Sequence, residues 1–443
     1  MRRCLALAGL GLAACAAAAP PLQAQGSGVD QQSACMSGRI GAGVASPCDD
    51  GSAAYFSPAA LAGQGSVFSL GVHLVRTGNT FNYDQGVGPL PPSVEREGNA
   101  LLPQLYLNVR PSPRLALAFG SFAPFGLGLE WPVCSTADPG CEGDNFEGRY
   151  TGYDNQLRSV YLQPTAAFQL IPGRLLVGAG ADLVLATLGV RQRADAPQLG
   201  LSGVDVADAE LEGGGIGFTG HVGAQLVLHP RLSVGARYLH STEVEMDGDA
   251  TFEQVQVGIP AVDAQIGLQF GPGGSLDDTN IETTIEFPSQ LVVGVSARPL
   301  DRLELLFDWQ RTGWSSFDQL DVDFENPATP DRTIDLGYSD TNTYRFGAEF
   351  AATDALALRA GFRYNEAATP RATPLLPENE RNVYTLGLGY RHNRRLSADL
   401  AFQHVVQPDR RGAVRPGGPD VGVYESTGSV FGITLAYRFG RVY

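Results

Sequence analysis

The sequence predicts an all-β fold: a transmembrane antiparallel β-barrel of about fourteen strands with an N-terminal hatch, or plug, inside the lumen. Three observations point there. Apolar residues recur at every second position in runs of about ten, the length a tilted strand needs to cross a bilayer. Short turns alternate with polar loops of roughly 15 to 40 residues, the asymmetry of outer-membrane barrels. Ahead of the first run lie about forty residues that lack a ten-residue alternating run; such a segment could dangle in the periplasm, but its small residues suit a compact plug.

The chain starts with an export signal. Arg2 and Arg3 form a positive n-region, Leu5 to Ala19 an apolar h-region, and Leu22-Gln23-Ala24 a small-residue cleavage site, so residues 1–24 read as a signal peptide and the mature chain begins at Gln25. Leu12-Ala13-Ala14-Cys15 also fits a lipoprotein signal, which would place a lipid on Cys15. Export leads to an oxidising compartment, where Cys35 with Cys48 and Cys134 with Cys141 read as two local disulfides. Neither pair has C-x-x-C spacing or a nearby His, so no metal is expected there.

Residues 25–65 are rich in Gly, Ala and Ser, carry Asp49-Asp50, and suit a compact plug stapled by Cys35 and Cys48. A fourteen-strand barrel is wide enough to leak unless filled. Residues 66–443 form the barrel. Its code is plainest at the end: Phe431, Ile433, Leu435, Tyr437 and Phe439 share one face, Gly432, Thr434, Ala436 and Arg438 the other. Leu356 to Asn365, Tyr344 to Phe350 and Leu303 to Gln310 repeat it. Strand starts are expected near 66, 99, 114, 157, 174, 215, 231, 286, 302, 342, 355, 382, 395 and 429. A soluble sandwich alternates too, so the loop asymmetry decides for a membrane.

Composition excludes other classes. The hydrophobic fraction of 43% rules out a disordered chain, and past residue 20 no run approaches the roughly 18 apolar residues of a spanning helix. A net charge of -16 repels nucleic acid, and all 31 basic residues are Arg.

Gly41-Ala42-Gly43-Val44-Ala45, Asp49-Asp50, Ala53-Ala54-Tyr55-Phe56 and Ser57-Pro58-Ala59 resemble the hatch of the FadL-type outer-membrane transporters of long-chain fatty acids and hydrocarbons. Phe122 to Gly126, Pro288 to Leu291, Trp314 to Phe317 and Arg359 to Tyr364 resemble that family in the right order, so the likeness spans the mature chain. One departure is Ser57, where the family's hatch commonly has Asn. The chain also ends in Tyr443, extending the usual aromatic C-terminal signal.

The resemblance implies capture of an apolar solute between the third and fourth extracellular loops and sideways release through a gap in the third strand. The third loop, 193–214, offers Leu199, Leu201 and Leu211; the fourth, 248–285, offers Phe252, Val255, Val257, Ile259 and Phe270, although alternation over 252–257 equally describes a hairpin. Gly120 and Pro124 weaken the third strand's ladder and mark the expected gap, facing the hatch near Ser57 to Ala59, unless Pro124 merely ends the strand. A fatty-acid carboxylate needs a cation, and Arg158, Arg237, Arg345, Arg359 and Arg363 fall on the lumen face by alternation. An Arg without an acidic partner is the one to look for.

Enzyme readings find little. Gly215 to Gly220 matches a dinucleotide pattern but sits in strand-type sequence, no G-x-S-x-G occurs, and the six histidines are scattered, with His404 alone near a rim. The expectation is a monomeric channel in the outer membrane of a Gram-negative bacterium, surrounded by its lipid. It carries long-chain fatty acids or other hydrophobic small molecules passively, with no cofactor; an aromatic-hydrocarbon channel and a general diffusion porin are the alternatives.

Overall fold

The computed structural model describes residues 28–84, 93–133, 146–377, 379–415 and 417–440; the signal segment, Cys134 and Cys141 lie outside them. The alternating runs form a closed antiparallel barrel of 14 strands. In order these are β1 (Ser66–Tyr83), β2 (Ser93–Val109), β3 (Leu115–Phe122 and Gly126–Glu130), β4 (Asp154–Ile171) and β5 (Leu175–Ala196). Then come β6 (Leu201–His229), β7 (Leu232–Leu239 and Thr242–Gln254), β8 (Thr279–Phe287 and Gln290–Leu300), β9 (Leu303–Thr312 and Gln319–Phe324) and β10 (Arg332–Asp335 and Thr341–Ala351). The last are β11 (Leu356–Asn365), β12 (Arg381–Arg391), β13 (Leu396–Val406, with Arg410–Gly412) and β14 (Gly422–Phe439). β14 pairs with β1 from Ser66↔Phe439 to Tyr83↔Gly422, which closes the wall. Closure gives the backbone N–H and C=O groups of the edge strands partners that hydrocarbon cannot supply.

Wall residues sort by face. Phe431, Ile433, Leu435 and Tyr437 are 41 to 50% exposed on the outside, whereas Val430, Gly432, Thr434 and Ala436 are buried against the lumen. Starts after short turns agree with the alternation to a residue: 114, 174, 231, 302, 355 and 395 against Leu115, Leu175, Leu232, Leu303, Leu356 and Leu396. At the opposite rim the expected starts 99, 157, 215, 286 and 429 fall inside strands that begin at Ser93, Asp154, Leu201, Thr279 and Gly422. These strands run on above the bilayer, where the outer face meets water and the greasy half of the code disappears.

The expected third loop is therefore mostly sheet. β5 and β6 pair up to Ala196↔Leu201, and their tip is a short turn, Pro197–Leu199, ended by Gly200 at φ +77. Most of the fourth loop is also ordered: β7 continues to Gln254 against Ala207, followed by helix α3 (Pro260–Gly267). The stretch 252–254 is thus part of a hairpin rising above the membrane.

Residues 28–65 fill the lumen. They contain α1 (Ala34–Gly38), capped by the Ser33 hydroxyl, α2 (Ala53–Phe56), and a 3-10 turn, Pro58–Gly63. A disulfide joins Cys35 to Cys48, their Cα atoms 6.2 Å apart. Side chains from all round the wall hold this hatch. Asp308 accepts from the N–H groups of Gly43 at 2.8 Å and Val44 at 3.0 Å, Thr434 accepts from Ala34 N–H at 2.9 Å, and Thr385 donates to Ser37 O at 2.8 Å. Wall glycines give it room: a Cβ at Gly178 would lie 2.5 Å from Pro58 backbone, and one at Gly235 2.3 Å from Val44 O.

Candidate functional site

The site begins where one strand fails to pair. β3 stops at Phe122 and resumes at Gly126, and its ladder to β2 runs only from Leu117↔Val109 to Ser121↔Leu105. Beyond that the second segment pairs with β4 alone, while β2 continues against β1. Proline without an N–H cannot extend a ladder, so Pro124 suits this seam. Hatch residues occupy it instead. Val29 N–H donates to Pro124 O at 2.7 Å, Gln32 Nε2 to Ala123 O at 2.7 Å, and Gly28 bridges to Phe125. Asp30 then ties this N-terminal strap across the lumen to Arg345 at 3.0 Å and to Arg363.

Behind the seam the lumen is aromatic. Phe125 lies 5.5 Å from Phe287, 5.9 Å from Trp314 and 6.1 Å from Tyr161, centroid to centroid, and Tyr55 of the hatch lies 5.0 Å from Phe122. One apolar cluster runs from hatch residues Ala53 to Ala62 through these rings to Leu211 and Phe252 near the outer rim. Towards that rim is a narrow crevice of about 30 Å³ between β5, β6, β7, β8, β9 and β10, its lining almost wholly apolar.

A family model described as "Outer membrane protein transport protein (OMPP1/FadL/TodX)" matches residues 14–439. The chain belongs to that family. Among solved structures it is similar to a Pseudomonas aeruginosa FadL homologue, with TM-score 0.79 and 23% identity over 94% of this chain and 100% of that one. It is also similar to the P. putida toluene transporter TodX, with TM-score 0.68 and 17% identity over 93% and 99%. Outer membrane protein P1 of Haemophilus influenzae is 22% identical over 337 residues, 69% of this chain and 66% of that one, so the chain spans just under two thirds of that relative's length. The structural likenesses speak for the fold. The protein is an outer-membrane barrel of the FadL/TodX family.

Within this FadL-family barrel the residues expected from sequence divide. Asp50 braces the hatch internally, accepting from the Ser33 and Ser52 hydroxyls at 2.5 Å, while Asp49 pairs with Arg438 at 3.0 Å. Ser57 donates to Val44 O at 2.7 Å, so the hydroxyl still makes a hatch contact where the family has Asn. Pro58 rests on Gly178 and Gly223 of β5 and β6, and Ala59 is fully buried. It is Gly28, Val29 and Gln32, rather than Ser57 to Ala59, that meet the carbonyls of the seam. Gly120 lies below the break, in paired strand opposite Gln163, so the interruption belongs to Ala123, Pro124 and Phe125.

The loop residues separate in the same way. Leu201, Val257 and Phe270 pack around Ala196, Val206, Ala207 and Ile266, joining the two extracellular excursions to each other. Leu211 and Phe252 face the lumen cluster instead. Val255 continues the ladder, donating to Val206 O at 3.0 Å, and Leu199 and Ile259 are exposed at 43 and 50%.

The arginines need the largest correction. Arg158 faces outward, because Asn155, Leu157, Ser159 and Tyr161 take the inner face of β4; Leu157 and Tyr161 make that lumen face as apolar as the outer one, and polarity there does not mark the inside. Arg345 and Arg363 share Asp30, and Arg359 lies between Glu349 at 2.7 Å and Asp399 at 2.6 Å. Arg237 donates to Tyr55 O at 2.7 Å and to Gln290, with Tyr55's ring 4.3 Å away, which clamps the hatch. His404 points outward, and Gly215 to Gly220 lie within β6.

Sequence reasoning missed Arg332. It sits on the lumen side of the short first segment of β10, opposite Val322, and lines the apolar crevice. The residue itself is exposed, on a segment above the bilayer. The available signal was the pair Arg332 and Ile334 alternating against Leu320 and Val322, inside a stretch that reads as loop.

Proposed function

We propose that this protein is a passive outer-membrane channel for hydrophobic compounds, with long-chain fatty acids as its main cargo. The single observation that carries the reading is the seam between β2 and β3, where hatch backbone and side chain take the place of a neighbouring strand. An apolar solute entering at the extracellular rim meets the crevice near Leu211 and Phe252, follows the aromatic cluster to Phe125, and leaves sideways into lipid once the strap 28–32 withdraws. No energy source is required. Apolar surface leaving water is stabilised by about 25 cal/mol per Å², so partition draws an acyl chain inward and then into the bilayer.

Neutral aromatic hydrocarbons are a second reading, supported by the rings of Phe125, Tyr161, Phe287 and Trp314 beside the seam. Equilibrium binding of a fluorescent long-chain fatty acid to the detergent-purified protein tests both. Saturable binding displaced by oleate supports fatty acids, and displacement by p-xylene but not oleate supports hydrocarbons. Absence of saturable binding would return the general diffusion porin.

A further inference from the structure

Five of the six short turns pass into the next strand through the same two residues. Arg114-Leu115, Arg174-Leu175, Arg231-Leu232, Arg302-Leu303 and Arg395-Leu396 open β3, β5, β7, β9 and β13, and β11 departs with Ala355-Leu356. Each leucine begins the outward-facing row of its strand. The carbonyl of each arginine accepts from the following strand, from the N–H of Gln169 at 2.9 Å, Val227 at 2.8 Å, Arg298 at 2.8 Å, Ala351 at 2.8 Å and Arg438 at 2.7 Å. In every case the bond lies one residue below the pair that the leucine makes, so the five backbones are pinned at an equivalent level round the rim of the short turns, the periplasmic one.

All five arginines are exposed. Arg231 pairs with Asp301 at 2.5 Å and Arg302 donates to Ala352 O at 3.2 Å, whereas Arg114, Arg174 and Arg395 form no ion pair with a carboxylate among the described residues. The six turns together hold seven arginines against two acids, Asp301 and Asp354. The opposite rim has the reverse sign: Glu243, Glu245, Asp247, Asp249, Glu282 and Asp323 are exposed there. A guanidinium just beyond the last lipid-facing leucine lays its stem along apolar surface and holds its charge at headgroup depth. Its planar fork there matches a phosphate, and an anionic membrane surface attracts it. A zwitterionic headgroup offsets much of that attraction with its own cation. We propose that this arginine collar binds the phosphates of anionic phospholipids in the periplasmic leaflet, so that the barrel carries a belt of such lipids at that rim and repels them from the acidic one. The proposal needs only the outer-membrane barrel and is independent of what the channel carries.

The test uses the mature protein in phosphatidylcholine vesicles with spin-labelled phosphatidylglycerol or spin-labelled phosphatidylcholine as the probe. Electron paramagnetic resonance reads the fraction of each label immobilised against the barrel. Expected is a wild-type preference for phosphatidylglycerol of about fivefold, the effect of one arginine near an anionic surface, falling towards unity in about 1 M NaCl. The variant R114Q/R174Q/R231Q/R302Q/R395Q should lose the preference, and the corresponding five-lysine variant should keep most of it, because charge and not turn packing holds the lipid. Equal immobilisation of the two labels by the wild type overturns the proposal, as does a preference that survives either the glutamine substitutions or high salt. The heat-modifiable barrel band on electrophoresis verifies that each variant is folded, and the salt dependence of the wild type decides the matter where a variant is not.

Discussion

At the scale of single residues, glycine decides where the hatch can sit. Gly235 on β7 faces the hatch backbone, and an added Cβ would lie 2.3 Å from Val44 O and 2.6 Å from its carbonyl carbon. Neither partner is the end of a flexible side chain, so the clash cannot relax by a rotamer change. Asp308 and the Ser57 hydroxyl hold the same turn of hatch, at Gly43 and Val44. Gly235→Ala should therefore displace the hatch at a cost of about 1–3 kcal/mol, the usual range for overpacking. Planar-bilayer recordings should show raised or noisier ion conductance. Gly65→Ala is the control, because nothing lies within 4 Å of a Cβ there. If the two variants conduct alike, the close seating of the hatch on β7 is not what seals the lumen. The same scale explains why arginines were hard to sort from sequence. Alternation tells which side chains share a face, but the lumen near the hatch is itself apolar, so it did not tell which face at Arg158. The acidic partner of Arg345 and Arg363, Asp30, comes from the hatch, and Arg359 is held by Glu349 directly opposite on β10 and by Asp399 from β13.

At the scale of elements, legibility follows the solvent on the outer face. Where strands border hydrocarbon, greasy residues must point out, and expected starts at the short turns agree with the structure to a residue. Above the bilayer that demand ends. The outward positions of β7, β8 and β9 become acidic, and register sets like charges directly opposite: Glu243 faces Glu286, and Glu282 faces both Asp247 and Asp323. Such pairs destabilise a sheet, by a few tenths to about 1 kcal/mol each. Glu282 meets two of them at once. Glu282→Gln should accordingly raise the apparent melting temperature in low salt, by about 0.5–1 kcal/mol of stability, and the gain should shrink as salt screens the repulsion. A loss of stability on this substitution would mean that Glu282 has an attractive partner outside the sheet. The short hairpin carrying Arg332 belongs to this same extramembrane skirt. Neither hydrocarbon-facing alternation nor a turn signature flags it, and this is why the crevice's only charge was not legible beforehand.

At the scale of the molecule, wall and hatch are stabilised by different means, and this makes them separable. The wall is closed by backbone pairing from β1 round to β14, a ladder that does not pass through residues 28–65. The hatch is held by side chains pointing inward, among them Asp308, Arg237, Arg345 and Thr385, whose polar ends water can satisfy if the lumen floods. Removing residues 25–65 should therefore leave a folded barrel. The rim region near Leu211 and Phe252, where the solute first enters, is built from wall residues, so saturable fatty-acid binding should survive within a few-fold. Ion conductance should rise steeply, because the lumen loses the mass that fills it, and the seam between β2 and β3 should lose the backbone of Gly28 and Val29 that occupies it. Conductance recordings and the binding assay on the same preparation separate the two roles. Unchanged conductance would show that residues 25–65 are not the plug, and loss of binding alongside an intact barrel would show that the hatch contributes to the ligand site as well as to the seal.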